Sequence, residues 1–233
     1  MLARLGVGSR REAEEWIRAG RLSVNGAVAT LGVRVQPDDQ LRLDGRLIRQ
    51  RAASGVQVLL CHRSPGESLT DLIARIPKSA GRRFIAVSPM PRIDGGLELV
   101  TSDGEMAARL QRAAHKLSSE FSIRVRGELP EQGLKGVLEG TLDSGERLEV
   151  ESCEAGGGEG ANRWYSLAGR GGSGKDVRQL FERQGALVSR VLRTRMGSVT
   201  LSRDFPRGRF RELTVEELAG LASSPVTPAP KAD

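Results

Sequence analysis

The chain has 233 residues, 38% hydrophobic and 28% charged, with a formal net charge of +7. That length suits a small module followed by a medium-sized domain, and the basic balance favours an anionic partner. No apolar run approaches the ~20 residues of a spanning helix, so a membrane is not the expected partner. The opening MLARLGVGSRR lacks a signal-peptide pattern, and the cytoplasm is the expected compartment. Cys61, Cys153, His62 and His115 stand outside metal-ligand and CxxC spacings, so no metal site is expected.

Residues 1–48 read as a compact αβ unit. Ser9 followed by Glu12 has the spacing of a capping box, and Ala13, Trp16 and Ile17 then share one helical face up to Gly20. A short strand at 22–24 runs into Asn25-Gly26, a two-residue hairpin signal, and Leu41 and Leu43 precede a second one, Asp44-Gly45. The polar stretch 49–55 reads as a linker.

The second domain is expected over 56–221, opening on a buried strand at 56–61. A Ser-Pro-Gly turn leads to a helix over 68–76, and strands follow at 84–87 and 97–101. An amphipathic helix is predicted over 105–114, an alternating strand at 121–126 and a helix at 134–139. Strands at 147–152 and 164–167 come next, with the glycine-rich 156–160 and 169–174 as loops. A helix over 176–184 presents Val177, Leu180 and Phe181, and strands are predicted at 188–194 and 199–201. The tail 222–233 is too poor in apolar residues to fold. Strands mixed with helices indicate an α+β fold around a mostly antiparallel, mixed sheet.

Charge is unevenly placed. The stretch 163–211 carries +9 and the remainder sums to −2. Concentrated on part of the surface, such charge can release counterions from phosphates. Arg190, Arg193 and Arg195 lie in this stretch and are candidates for RNA contact. Solvated helix and strand faces are the competing reading.

GSRREAEEWIRAGRLSVNG resembles the S4-like RNA-binding module found at the front of many RNA-modifying enzymes. The resemblance implies that Ser9, Arg10, Arg11, Arg21 and Asn25 face RNA. A helix N-terminus offers free amides to phosphate, and arginines offer bidentate forks. The remaining blocks, VLLCHRSPGE, RRFIAV, GGLELVTSDGEMAARL, KLSSEFSIRVRG, GGGEGANRWYSL and GKDVRQLFERQGALVSRVLRTRMGSVTL, resemble the bacterial ribosomal RNA pseudouridine synthases of the RsuA/RluB type. Each block is weak alone; their order and spacing carry the resemblance. It implies structured RNA, most of all ribosomal RNA, as partner, a monomer, and neither metal nor cofactor.

The resemblance also implies a catalytic aspartate in a loop of the form GRLDxxTxGLLLLTxDG, an aromatic that stacks on the target base, and a late cation that pairs with the aspartate. Anchored on LVTSDGE and read back without gaps, the chain places Pro91 at the aspartate and Asp94 at the threonine. Arg92-Ile93-Asp94 fits Arg-Leu-Asp only with two compensating gaps, and Asp94 before Gly95-Gly96 reads equally as a tight turn. Phe121 stands at the tyrosine position, where it keeps a stacking face, or serves as a strand core residue. Arg178 is the best candidate for the cation, with Lys175 beside it. The preferred expectation is therefore an RNA-binding protein that has lost the chemistry at Pro91; the alternative is an active pseudouridine synthase using Asp94.

Overall fold

The structure is a computed structural model that describes residues 7–8, 10–36, 38–48, 57–77 and 84–223. The expected linker 49–55 and most of the tail lie outside those residues, as does Ser9 with its capping box.

The N-terminal module consists of α1 (Arg10–Arg18), β1 (Leu22–Val24), β2 (Ala27–Val28), β3 (Leu41–Leu43) and β4 (Arg46–Leu47). Its four strands lie in the order β2-β1-β3-β4, all antiparallel. Both hairpin signals fold as read: Asn25 and Gly26 have φ of 51° and 89°, and Asp44 and Gly45 have 50° and 76°. Two successive positive φ angles suit the right-handed twist of the flanking strands. Leu22, Ala29 and Leu41 form a small core against Ala13 and Ile17 of α1.

The larger domain contains β5 (Val58–Arg63), α2 (Leu69–Ala74), β6 (Ile85–Val87), β7 (Gly95–Thr101), α3 (Gly104–Ala114), β8 (Ser119–Arg126) and α4 (Glu131–Glu139). It continues through β9 (Glu149–Glu159), β10 (Asn162–Arg170), α5 (Gly174–Glu182), β11 (Leu187–Met196), β12 (Val199–Thr200), β13 (Phe210–Glu212) and α6 (Val215–Ser223). Among the described residues its strands form one mixed sheet in the order β13-β5-β7-β11-β8-β10-β9, with β6 on β7 and β12 on β11. The pairing is antiparallel except where β7 meets β11. No described helix is long and apolar enough to cross a membrane.

Burial follows from what covers each strand. β7 is buried along its whole length, and apolar residues of β5 and β7 divide between one cluster that includes α3 and α6 and a second that includes α2. β8 alternates instead: Phe121, Ile123 and Val125 enter a core with Val177, Leu180 and Phe181 of α5, while Ser122, Arg124 and Arg126 are on the other face. α5 starts at a true capping box, in which Ser173 and Asp176 bond each other reciprocally. The segment 156–160, expected as a loop, instead lies largely in β9, paired to β10. Main-chain pairing at the sheet edge overrides the poor strand propensity of glycine there. α6 was not anticipated and carries the fold to Ser223, past the expected end at 221.

The Gly95-Gly96 pair is not a hairpin turn. It begins β7, squeezed between the backbones of β5 and β11. A methyl group on Gly95 would stand 2.5 Å from the Arg63 carbonyl oxygen, and one on Gly96 would stand 2.3 Å from that of Arg193, with Gly96 at a φ of +91°. Gly96→Ala is expected to cost more than about 2 kcal/mol, because both the backbone angle and the space exclude a side chain. Urea unfolding of the variant would show the midpoint fall; an unchanged midpoint would refute the close approach.

Candidate active site

The parallel junction of β7 and β11 is where two of the predicted site residues, Asp94 and Arg178, meet. β7 begins at Gly95, so the Val191 amide of β11 has no strand carbonyl opposite it. The Asp94 carboxylate takes that place: its Oδ1 accepts from the Val191 N–H at 2.8 Å. The same oxygen accepts from Arg178 Nη2 at 2.6 Å, and Oδ2 accepts from Arg178 Nε at 3.2 Å. This is the two-pronged fork geometry that makes arginine–carboxylate pairs both strong and directional. The Asp94 side chain is 0% exposed and that of Arg178 13%. Arg178 is itself held by the Val188 carbonyl at 2.7 Å and by Glu182 one helical turn on. Its bond to Asp94 raises its already high pKa.

This placement corrects the reading of Asp94 as merely the residue of a tight turn. Its backbone does close a turn, the Asp94 N–H donating to the Pro91 carbonyl at 3.0 Å, but its side chain is buried and ion-paired. Pro91, at the ungapped aspartate position, contributes that carbonyl and no carboxylate. A proline is tolerated because the contacts needed at this point are made to a carbonyl, not from an N–H.

The loop from Ser88 to Asp94 is anchored from below by a second, fully buried ionic group. Arg63 of β5 donates Nε to Glu98 of β7 at 2.8 Å and Nη2 to the carbonyls of Met90 and Pro91 at 2.9 and 2.8 Å. Its Nη1 reaches the carbonyl of Glu67 at 2.8 Å and that of Arg92 at 3.4 Å. Glu98 also accepts from the Met90 N–H at 3.1 Å and from Arg193 Nη2 at 3.4 Å. Arg193 also donates to the Leu97 carbonyl at 3.0 Å and to Ser88 Oγ at 3.5 Å. Arg63, Glu98 and Arg193 are 1%, 0% and 2% exposed. Burial pushes the Glu98 carboxyl upward while the guanidiniums of Arg193 and Arg63 pull it back, and the same burial pulls Arg193 down. Met90 lies against Gly174 at the start of α5, where a methyl group would stand 2.4 Å from its sulfur.

Other predicted residues are placed differently. Arg193 is sealed in the ionic group and cannot meet RNA, because a buried guanidinium is spent on Glu98 and a carbonyl. Arg195 bonds Glu120 at 2.7 Å. Arg190 is half-buried on the sheet face turned away from α5. Lys175 is exposed and is not bonded to Asp94. Phe121 is 2% exposed in the core beside β10 and α5, which matches the core alternative rather than an open stacking face. In the N-terminal module Arg21 forks onto Asp44 at 2.8 and 2.5 Å, and Asn25 ties Asp39 to the Gln40 amide. Arg11 is exposed, and Ser9 and the Arg10 side chain lie outside the described residues. The residues that sequence reasoning missed are Arg63 and Glu98 as a pair. The available signal was a lone carboxylate inside the apolar run Leu97-Glu98-Leu99-Val100, which requires a buried cation partner.

Removing one member of such a group strands a buried charge, which costs about 3–5 kcal/mol. Glu98→Ala is therefore expected to lose stability of that order in chemical denaturation. Glu98→Leu with Arg63→Met should recover part of it; a single variant as stable as the parent would show that the group is not buried as described.

Comparison with known proteins places the chain. The profile described as S4 domain matches residues 1–41. The ribosomal large subunit pseudouridine synthase B of Pseudomonas aeruginosa is 40% identical over 229 residues, an alignment covering 94% of this chain and 59% of the relative. The protein of the same description from Salmonella typhimurium is 38% identical over 240 residues, covering 97% of this chain and 82% of the relative. That from Escherichia coli is 37% identical over 229 residues, covering 93% and 79%. The chain thus spans just under three fifths of the Pseudomonas protein and about four fifths of the other two. Among solved structures, a pseudouridylate synthase crystal structure superposes with a TM-score of 0.59 at 20% identity, covering 94% of this chain and 96% of the other, which supports the fold. With an S4 domain in front and relatives of this identity along nearly its whole length, the chain belongs to the RsuA/RluB-type ribosomal RNA pseudouridine synthase family.

Proposed function

We propose that this chain isomerises uridine to pseudouridine in ribosomal RNA of the large subunit, with Asp94 as the reacting carboxylate and Arg178 as its partner. The observation that carries the reading is the fork from Arg178 onto a fully buried Asp94. A carboxylate serving as nucleophile or base has to be aimed before the substrate arrives, and a guanidinium that grips both of its oxygens aims it. The reaction keeps every atom. The bond from base nitrogen to sugar C1′ breaks, the base turns, and its C5 bonds to C1′. The C5 proton is then lost and the freed nitrogen regains one. Asp94 either attacks C1′ or removes a sugar proton to start the sequence. The target base has to leave its stack to reach a buried carboxylate. The S4 module would hold the RNA, with Arg11 at the front of α1 and the Arg21 and Asn25 hairpin beside it.

The competing reading is RNA binding without chemistry. It is favoured by Phe121, whose ring is 2% exposed where an open stacking face would be needed. One measurement separates the two. Purified protein incubated with unmodified large-subunit ribosomal RNA should yield pseudouridine at a defined nucleotide, detected by carbodiimide mapping. Asp94→Asn should abolish that product while the variant still unfolds in one cooperative thermal transition, at a midpoint lowered by the loss of the buried ion pair. Arg178→Lys should slow it at least about a hundredfold, since a point charge cannot hold two carboxylate oxygens at once. Absence of pseudouridine with the parent protein, under conditions where it binds the RNA, would sink the enzymatic reading.

A further inference from the structure

The face of the sheet turned away from α4 and α5 carries a row of residues that neither the fold nor the chemistry at Asp94 uses. Strands β11, β8 and β10 are in antiparallel register there, with Arg190 opposite Arg124 and Arg124 opposite Trp164. Register partners share a face, with Cβ atoms roughly 5 Å apart. Arg126, two residues along β8, adds a third cation on the same face. None of the three guanidiniums has an acidic partner among the described residues. Of the carboxylates near this face, Glu120 is taken by Arg195 and Glu151 by Arg170. Glu154 on β9 stands two strands from β8 opposite Ser166, and Glu159 is the register partner of Asn162, itself opposite Arg126.

Like charges set directly opposite one another across a ladder destabilise a sheet, and this pair is not relieved by a carboxylate among the described residues. The arrangement makes physical sense when an anion sits between them. Trp164 supplies the second half of the site. It is half-buried, and next to it β9 runs as Gly156-Gly157-Gly158 through a register shift, so that the neighbouring positions of β9 carry no side chain. An aromatic plane beside two free guanidiniums is the combination that binds a single strand, phosphate on the arginines and base on the ring.

We infer that Arg124, Arg190 and Trp164 form a second RNA-contacting surface, which takes a single-stranded segment by clamping one or two phosphates and stacking one base. It rests on RNA being the partner proposed above, and is independent of the chemistry at Asp94. Arg178 and Asp94 lie on the α5 side of the sheet, so this surface holds a part of the RNA other than the target nucleotide. Such a contact would fix the orientation of a flanking strand and raise the effective concentration of the target.

The test uses the full chain and a fluorescein-labelled oligouridylate ten-mer, followed by anisotropy at several salt concentrations. Arg124→Gln with Arg190→Gln should weaken binding about tenfold and reduce the slope of log affinity against log salt by about 1.4, the value for two phosphates on a single strand. Because two like charges are removed, the thermal midpoint should hold or rise. In a Trp16→Phe background the emission of Trp164 should be quenched by the oligonucleotide and not by inorganic polyphosphate. Unchanged affinity and slope in the double variant, or a Trp164 emission indifferent to RNA, overturns the inference. So does self-association of the parent chain that the double variant abolishes without loss of RNA affinity, because a second copy would then occupy the face. Asp94→Asn should bind the ten-mer like the parent. A chain that makes no pseudouridine yet binds through these residues refutes the proposed chemistry and leaves the surface standing.

Discussion

A carboxylate in the middle of a fully buried strand has to be met by cations, and Glu98 is met by two. Arg63 and Arg193 approach it from the strands on either side of β7, so one side chain ties three neighbouring strands together. Two guanidiniums around one carboxylate leave a surplus positive charge. Carbonyl oxygens of Glu67, Met90, Pro91, Arg92 and Leu97 absorb it. No buried side-chain nitrogen or oxygen among the described residues is left without a partner. The loop that presents Asp94 is therefore held by its main chain, and its side chains are released from that duty. A sequence as unlike the family pattern as Ser-Pro-Met-Pro can then occupy the loop.

The second consequence concerns how Asp94 is aimed. Gly95 and Gly96 let the start of β7 come within contact of two backbones, which sets Asp94 at the parallel junction of β7 and β11. There its carboxylate completes the hydrogen bonding of β11 at Val191 and receives the fork of Arg178 from α5. Strand, helix and loop each fix one side of the same group. A group fixed from three sides is preorganised, which is what the proposed chemistry would require of it. It also separates two kinds of arginine along one strand: Arg193 is structural and sealed, while Arg190 on the opposite face is open to a ligand.

Much of the architecture was legible from local patterns. The two hairpins of the N-terminal module are written in Asn25-Gly26 and Asp44-Gly45, the alternation of β8 in Phe121 to Arg126, and the α5 core face in Val177, Leu180 and Phe181. Glycine misled twice, at 156–160 and at Gly95-Gly96, for one reason. Glycine marks either a turn or a place where another backbone passes close, and the chain alone does not say which. Summed charge misled at Arg193, since a basic stretch is counted without knowing which cations already have partners.

What the sequence determined by itself was composition, periodicity and order: a basic two-part α+β chain whose blocks run as they do in one family of RNA-modifying enzymes. What only the tertiary structure decided was which aspartate is buried against an arginine. In a gap-free reading Asp94 falls three positions late and Pro91 stands in its place. In space the buried fork from Arg178, 84 residues away in the chain, selects Asp94. The reason is physical: an alignment counts residues along the backbone, whereas a carboxylate is positioned by the cation and the amide that reach it, and those come from other strands and helices.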